Sequence, residues 1–199
     1  MAVKVCFIVD SNLKDLRIGK GCARIKPYIK CDGRVYCPYV VNNKSRQMPT
    51  VKEIQEQEFT DIVIALGMNH CKLGAENQEK ALLDLADLFR HFRNSLHQVR
   101  LYHVLVPPSL STRINNNIIR FNKTIQLLLN NVSGLKVIRI PTALYAHTGV
   151  LSVAYARLSE TVAGFPDGKK LHINQAGQSK LVYNIIRVIS RAANKRLMS

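Results

Sequence analysis

The chain has 199 residues, 47% of them hydrophobic and 21% charged, which suits one domain with a substantial buried core. Lysine and arginine number 29 against 13 aspartates and glutamates, a formal charge of +16, so the balance favours a polyanionic partner (RNA, DNA or an acidic membrane surface), unless it only solvates the surface. No stretch approaches the roughly 20 apolar residues that span a bilayer. The short N-terminal apolar run is broken by Lys4 and leads into a polar loop rather than a cleavage site, unlike a signal peptide. Five cysteines, with Cys6 inside an apolar run, fit reduced thiols better than a disulfide framework. An intracellular protein, cytoplasmic or nuclear, is the expectation. Cys31 and Cys37 lack the paired spacing of a zinc site.

In chain order, Val3–Val9 is β-branched and apolar, a first strand buried on both faces. It stops at Asp10-Ser11-Asn12. Ser11 reads two ways, as a nucleophile at a strand end or as a helix N-cap before Leu13–Ile18. Residues 14–46 carry nine lysines and arginines against Asp15 and Asp32. A short helix near 13–18, a loop and a second strand at Arg34–Val41 are expected there. Thr50 and Glu53 have capping-box spacing for a helix over 51–58. Thr60–Leu66 is a third strand, ending at Gly67-Met68-Asn69-His70.

The spacing of Leu82, Leu85, Phe89, Phe92 and Leu96 predicts a helix over about 77–97. Val99–Val106 is a fourth strand closed by two prolines, and Thr112 is placed to cap the next helix. Ile114, Ile118, Phe121, Ile125, Leu128 and Val132 step along one face of that helix, which stops at Ser133-Gly134. Leu135–Ile140 is a fifth strand. Residues 142–170 show no clear period, and Phe165–Gly168 reads as a turn. The last helix, about 176–194, sets Leu181, Ile185, Val188 and Ala192 on an apolar face. Lys180, Asn184, Arg187, Arg191 and Lys195 form a polar, mostly basic stripe.

Strands alternating with helices imply βαβ units with right-handed crossovers. The expected fold is α/β, a single domain over 1–199 built as a three-layer α/β/α sandwich. Its five-stranded parallel sheet would follow the flavodoxin-like order 2-1-3-4-5. Ser11 and Asn69 then emerge side by side at the carboxyl edge.

Three segments, Asp10-Ser11-Asn12, Gly67-Met68-Asn69 and His172-Ile173-Asn174-Gln175-Ala176-Gly177, resemble in order and placement the motifs of the SGNH, or GDSL, hydrolase superfamily. The family pattern is Gly-Asp-Ser after the first strand, Gly-x-Asn after the third and Asp-x-x-His before the last helix. The helix with Asn115 and Phe121-Asn122 also looks like its counterpart there. The resemblance implies Ser11 as nucleophile, His172 as general base, and Asn69 with the Ser11 backbone N–H as oxyanion donors. Val9 stands where the family has its first glycine. No glycine matches the family's second block, and Lys169 occupies the position of the aspartate three residues before the histidine. Asp167, five residues before His172, serves only if two residues bulge out; otherwise a Ser–His dyad remains.

Two functions follow. The first is a serine esterase removing a small acyl group, such as acetyl, without a metal or organic cofactor. The second is an SGNH-like fold with a decayed site that binds RNA or single-stranded DNA through Lys180, Arg187, Arg191 and Lys195. The Val-Asp-Ser-Asn-Leu-Lys start is similar to SGNH-like domains encoded by the first open reading frame of LINE-type retrotransposons, which accompany nucleic-acid binding.

Overall fold

A computed structural model describes residues 4–10, 13, 29–31, 34–40, 48–71, 75–158 and 172–197. Its centre is the strand β1 (Lys4–Val9), whose residues Val5 to Val9 are all fully buried. Side chains alternate between the faces of a strand, so unbroken burial means that both faces are covered. β1 pairs in parallel with β3 (Arg34–Val40) on one side and with β4 (Asp61–Ala65) on the other. β4 is also buried throughout. β5 (Arg100–Val104) and β6 (Leu135–Ile138) extend the parallel sheet beyond it.

On the other edge, β2 (Ile29–Cys31) runs antiparallel to β3. Among the described residues the sheet therefore has six strands in the order β2-β3-β1-β4-β5-β6. This corrects the expected five-stranded, wholly parallel sheet. The signal for β2 was present in the chain: Asp32-Gly33 separates it from β3, and a two-residue Asp-Gly link favours a tight antiparallel connection. Pro38 sits in β3 beyond the three residues that β2 pairs with, where its missing N–H interrupts no outer ladder among the described residues.

Among the described residues the α-helices are α1 (Val51–Glu56), the single turn α2 (Met68–Cys71), α3 (Ala75–Ser95), α4 (Thr112–Leu129) and α5 (Gln175–Leu197). The steps β3 to β4, β4 to β5 and β5 to β6 all cross the sheet in one direction. Right-handed crossovers thus set α1, α3 and α4 on one face, and α3 packs on α4. α5, with Leu181, Val182, Ile185 and Ile189 buried, is the remaining long helix with a core face. Two 3₁₀ turns, Thr142–Leu144 and Val153–Tyr155, punctuate the irregular stretch before it.

Local chemistry explains the helix ends. Thr50 and Glu53 form the reciprocal capping box: the Glu53 N–H donates to Thr50 Oγ1 at 3.2 Å, and the Thr50 N–H donates to Glu53 Oε2 at 2.7 Å. The Thr50 backbone and hydroxyl together hold the Glu53 carboxyl below its usual range. The cap of α4 is Ser111, not Thr112, which is the first helical residue; the Ser111 hydroxyl accepts from the Ile114 N–H at 3.5 Å. The expected apolar stripes of α3 and α4 are buried, with Leu129 rather than Leu128 taking the fully buried place near the end of α4. The amino ends of β4 and β5 are clamped by Arg100, which donates from Nε and Nη2 to the two Asp61 oxygens at 2.7 Å each. Asp61 is fully buried; such a bidentate pair fixes geometry as well as charge.

Candidate active site at the carboxyl edge of the sheet

The carboxyl ends of β1 and β4 are tied together one residue away from each candidate catalytic group. The Asp10 carboxylate is buried and accepts the Met68 backbone N–H at 3.0 Å. The Asp10 N–H donates to the Ala65 carbonyl at 3.2 Å, so the junction is fixed in two places. Ser11 follows Asp10 and Asn69 follows Met68. Ser11, with Asn12 and the expected helix near 13–18, lies outside the described residues apart from Leu13, whose N–H donates to the Asp10 carbonyl at 3.1 Å.

Asn69 is half-buried in the first turn of α2. The sequence marks this stretch only as the end of the third strand. In fact Gly67 opens a helical turn, its carbonyl accepting the N–H groups of His70 and Cys71 at 3.0 and 3.1 Å. Gly67 has φ +132, and a Cβ there would stand 2.7 Å from both the Phe121 ring and Val106. Only glycine meets both demands. Burial raises the Cys71 thiol to about 12, helped by the charge of Asp10, which keeps it protonated, and burial pushes His70 below its usual value against the opposite pull of Asp84, which favours the neutral imidazole.

His172 is buried on the loop that enters α5. Its carbonyl accepts the Arg157 N–H at 3.0 Å, and the next residue, Ile173, bridges to Ala156. Asn174 then caps α5. Its side-chain oxygen accepts from the Gly177 N–H at 3.0 Å, and its amide donates to the Ala154 carbonyl at 2.8 Å. Gly177 allows close packing, since a Cβ would meet Ile173 and Tyr155 at 3.1 and 3.2 Å.

The segment that receives this loop is itself tied to the carboxyl end of β5. The Leu151 N–H donates to the Ser109 carbonyl at 3.1 Å, and the Asn115 amide donates to the Gly149 carbonyl at 3.1 Å. Asn122 holds the β5 exit by two bonds with the Val106 backbone, each 2.9 Å. Asn115 and Asn122, known from the sequence only by resemblance, thus brace the strand-end loops. A small apolar cavity among Asp10, Leu13, Leu66, Leu105, Val106 and Leu181 brings α5 against the same edge.

Asp167 and Lys169, on which the triad question turns, lie outside the described residues. Among the described residues, no group of three or more His, Cys, Asp or Glu side chains gathers as a metal site, and no helix is long and apolar enough to cross a membrane. Lys180, Arg187 and Arg191 are exposed on α5; Lys195 lies on the same helix, its side chain outside the described residues.

No protein-family model matches the chain, and no curated protein does. Solved structures do. A GDSL-like lipase from Bacteroides thetaiotaomicron superposes with a TM-score of 0.59 at 13% identity, over 95% of this chain and 88% of that one. An acetylxylan esterase from Geobacillus stearothermophilus gives 0.58 at 12% identity, over 93% of each chain. A carbohydrate esterase of family 3 from Talaromyces cellulolyticus gives 0.57 at 13% identity, over 97% and 99%. The fold is that of the SGNH/GDSL hydrolases.

Proposed function

We propose that this protein is an SGNH-type serine esterase that cleaves a small acyl ester, with an acetyl ester as the simplest substrate. The Ser11 hydroxyl attacks the ester carbonyl carbon while His172 takes its proton. The Asn69 amide and the Ser11 backbone N–H donate to the oxygen that becomes negative. Collapse of the tetrahedral intermediate expels the alcohol, which receives the proton from His172, and leaves acyl-Ser11. Water then attacks that ester with His172 again as base, which releases the carboxylic acid and restores the serine. Asp167 orients the imidazole, or the pair works as a dyad.

The observation that supports this reading is the Asp10–Met68 hydrogen bond, 3.0 Å long and buried. It joins the residue before the serine to the residue before the oxyanion-hole asparagine, on a fold shared with esterases. The test is hydrolysis of 4-nitrophenyl acetate by the wild type, Ser11→Ala and His172→Ala. The expected result is turnover that both substitutions abolish. A wild-type rate no higher than that of Ser11→Ala overturns the reading.

A further inference from the structure

The carboxyl end of β6 and the first half of α5 enclose an open groove of about 370 Å³, lined by Pro141, Ala143, Ser179, Lys180, Tyr183, Asn184 and Arg187. Tyr183 is 71% exposed, the most exposed large hydrophobic side chain among the described residues. Lys180 precedes it by three residues and Arg187 follows it by four, so all three share one helix face. The Lys180 ammonium lies 5.9 Å from the centroid of the Tyr155 ring, and the Asn184 amide anchors the helix to the Arg139 carbonyl at 2.9 Å.

The segments that line the groove carry one sign of charge. Neither α5 nor the stretch from Asn130 to Leu158 contains an aspartate or glutamate, while Lys136, Arg139 and Arg157 add to the cations of α5. An acid-free surface of this kind concentrates anions. A bare polyanion needs nothing more. The exposed ring between two cations, above the small side chains of Pro141 and Ala143, suits a ligand with alternating flat apolar and anionic parts.

We propose that this groove binds single-stranded nucleic acid, with Tyr183 as the stacking platform for a base and Lys180 and Arg187 as phosphate contacts. Arg191 continues the path one turn further along α5. Base–aromatic stacking combined with a cationic track is how strands are held without sequence preference. The proposed binding uses none of Ser11, Asn69 or His172 and stands whether or not the chain hydrolyses esters.

The experiment is fluorescence anisotropy of a labelled short oligouridylate, from low to physiological salt, with the full chain. Binding that weakens steeply with salt is expected. Tyr183→Ala should weaken it by about 5- to 150-fold, the range of one stacked base, and Tyr183→Phe should restore it. Arg187→Gln should flatten the salt dependence. Inorganic polyphosphate should bind through charge alone, so its binding should not respond to Tyr183→Ala. Circular dichroism confirms that the variants fold. Oligouridylate binding that Tyr183→Ala leaves unchanged overturns the proposal, as does no binding at low salt. Polyphosphate binding that Tyr183→Ala weakens as much as oligouridylate binding, or attachment to anionic vesicles alone, also overturns it.

Discussion

The buried carboxylate of Asp10 accepts the backbone N–H of Met68 across 58 positions of sequence, at 3.0 Å. A charged acceptor makes this bond stronger than a neutral one. Asp10→Ala leaves a buried donor without its partner, which costs about 1–3 kcal/mol. Asp10→Asn keeps an acceptor oxygen and should cost less. Urea unfolding of the two variants checks the order. If the bond also sets the site, esterase turnover falls in the same order.

Gly67→Ala puts a methyl group 2.7 Å from the Phe121 ring at a φ of +132. Overpacking and backbone strain each cost about 1–3 kcal/mol. The melting temperature should drop accordingly, and turnover should fall with it because Asn69 sits two residues on. A smaller Phe121→Leu partner change in the same chain should recover part of the packing loss but not the strain.

Two substitutions divide the proposed catalytic roles. Asn69→Ala should lower kcat by about 10²–10³ if its amide binds the oxyanion. Asp167→Asn should lower kcat by a large factor if Asp167 orients His172, whereas an unchanged kcat points to a dyad or to another acceptor. Steady-state rates on 4-nitrophenyl acetate separate these outcomes.

His103, fully buried in β5 with its ring edge-on to Phe89, is the pH-sensitive element of the core. Burial pushes it down from 6.5 to about 4, with a weaker opposite pull from the Ile64 backbone. The unfolded chain therefore binds the proton first, and stability rises with pH between about 4 and 6.5. Above that window the contribution is complete; as pH falls through it, on the order of 3 kcal/mol is lost. Urea midpoints measured from pH 7 to 4.5 should fall in the wild type, and His103→Leu should show a shallower decline.

Asp61→Ala strips the partner from the Arg100 guanidinium and removes a fully buried carboxylate. Breaking such a pair by removing one member costs about 3–5 kcal/mol. Chemical denaturation reads the loss directly. The Arg100 side chain retains 21% exposure, which places the expected value at the lower end.

The fold was legible wherever a long element repeated its pattern. Ile114, Ile118, Phe121 and Ile125 announce α4 because burial of one helix face forces their spacing. Val5 to Val9 announce β1 because a strand covered on both sides needs no polar alternation. Short elements escaped the same logic. β2 has three residues and α2 has four, too few to show a period, and only Asp32-Gly33 marked the first. Motif order alone marks Asn69 and His172 as candidates. The role of Asp10 was hidden, since its partner is a backbone N–H far along the chain. Tyr183 was missed because the basic stripe on α5 was traced through charged side chains, and the ring lies beside them.

β6 closes the sheet, so its outer backbone edge has no strand partner among the described residues. Such an edge invites a second chain to add itself and propagate. The sequence Leu135-Lys136-Val137-Ile138-Arg139-Ile140-Pro141 interrupts a strongly β-forming apolar run with two exposed cations and ends it with a proline. Lys136 and Arg139 thereby act as gatekeepers against edge-to-edge assembly. The same charges that enrich the neighbouring surface in cations keep copies of the protein from stitching their sheets together, and neutralising Lys136 would expose that edge to aggregation.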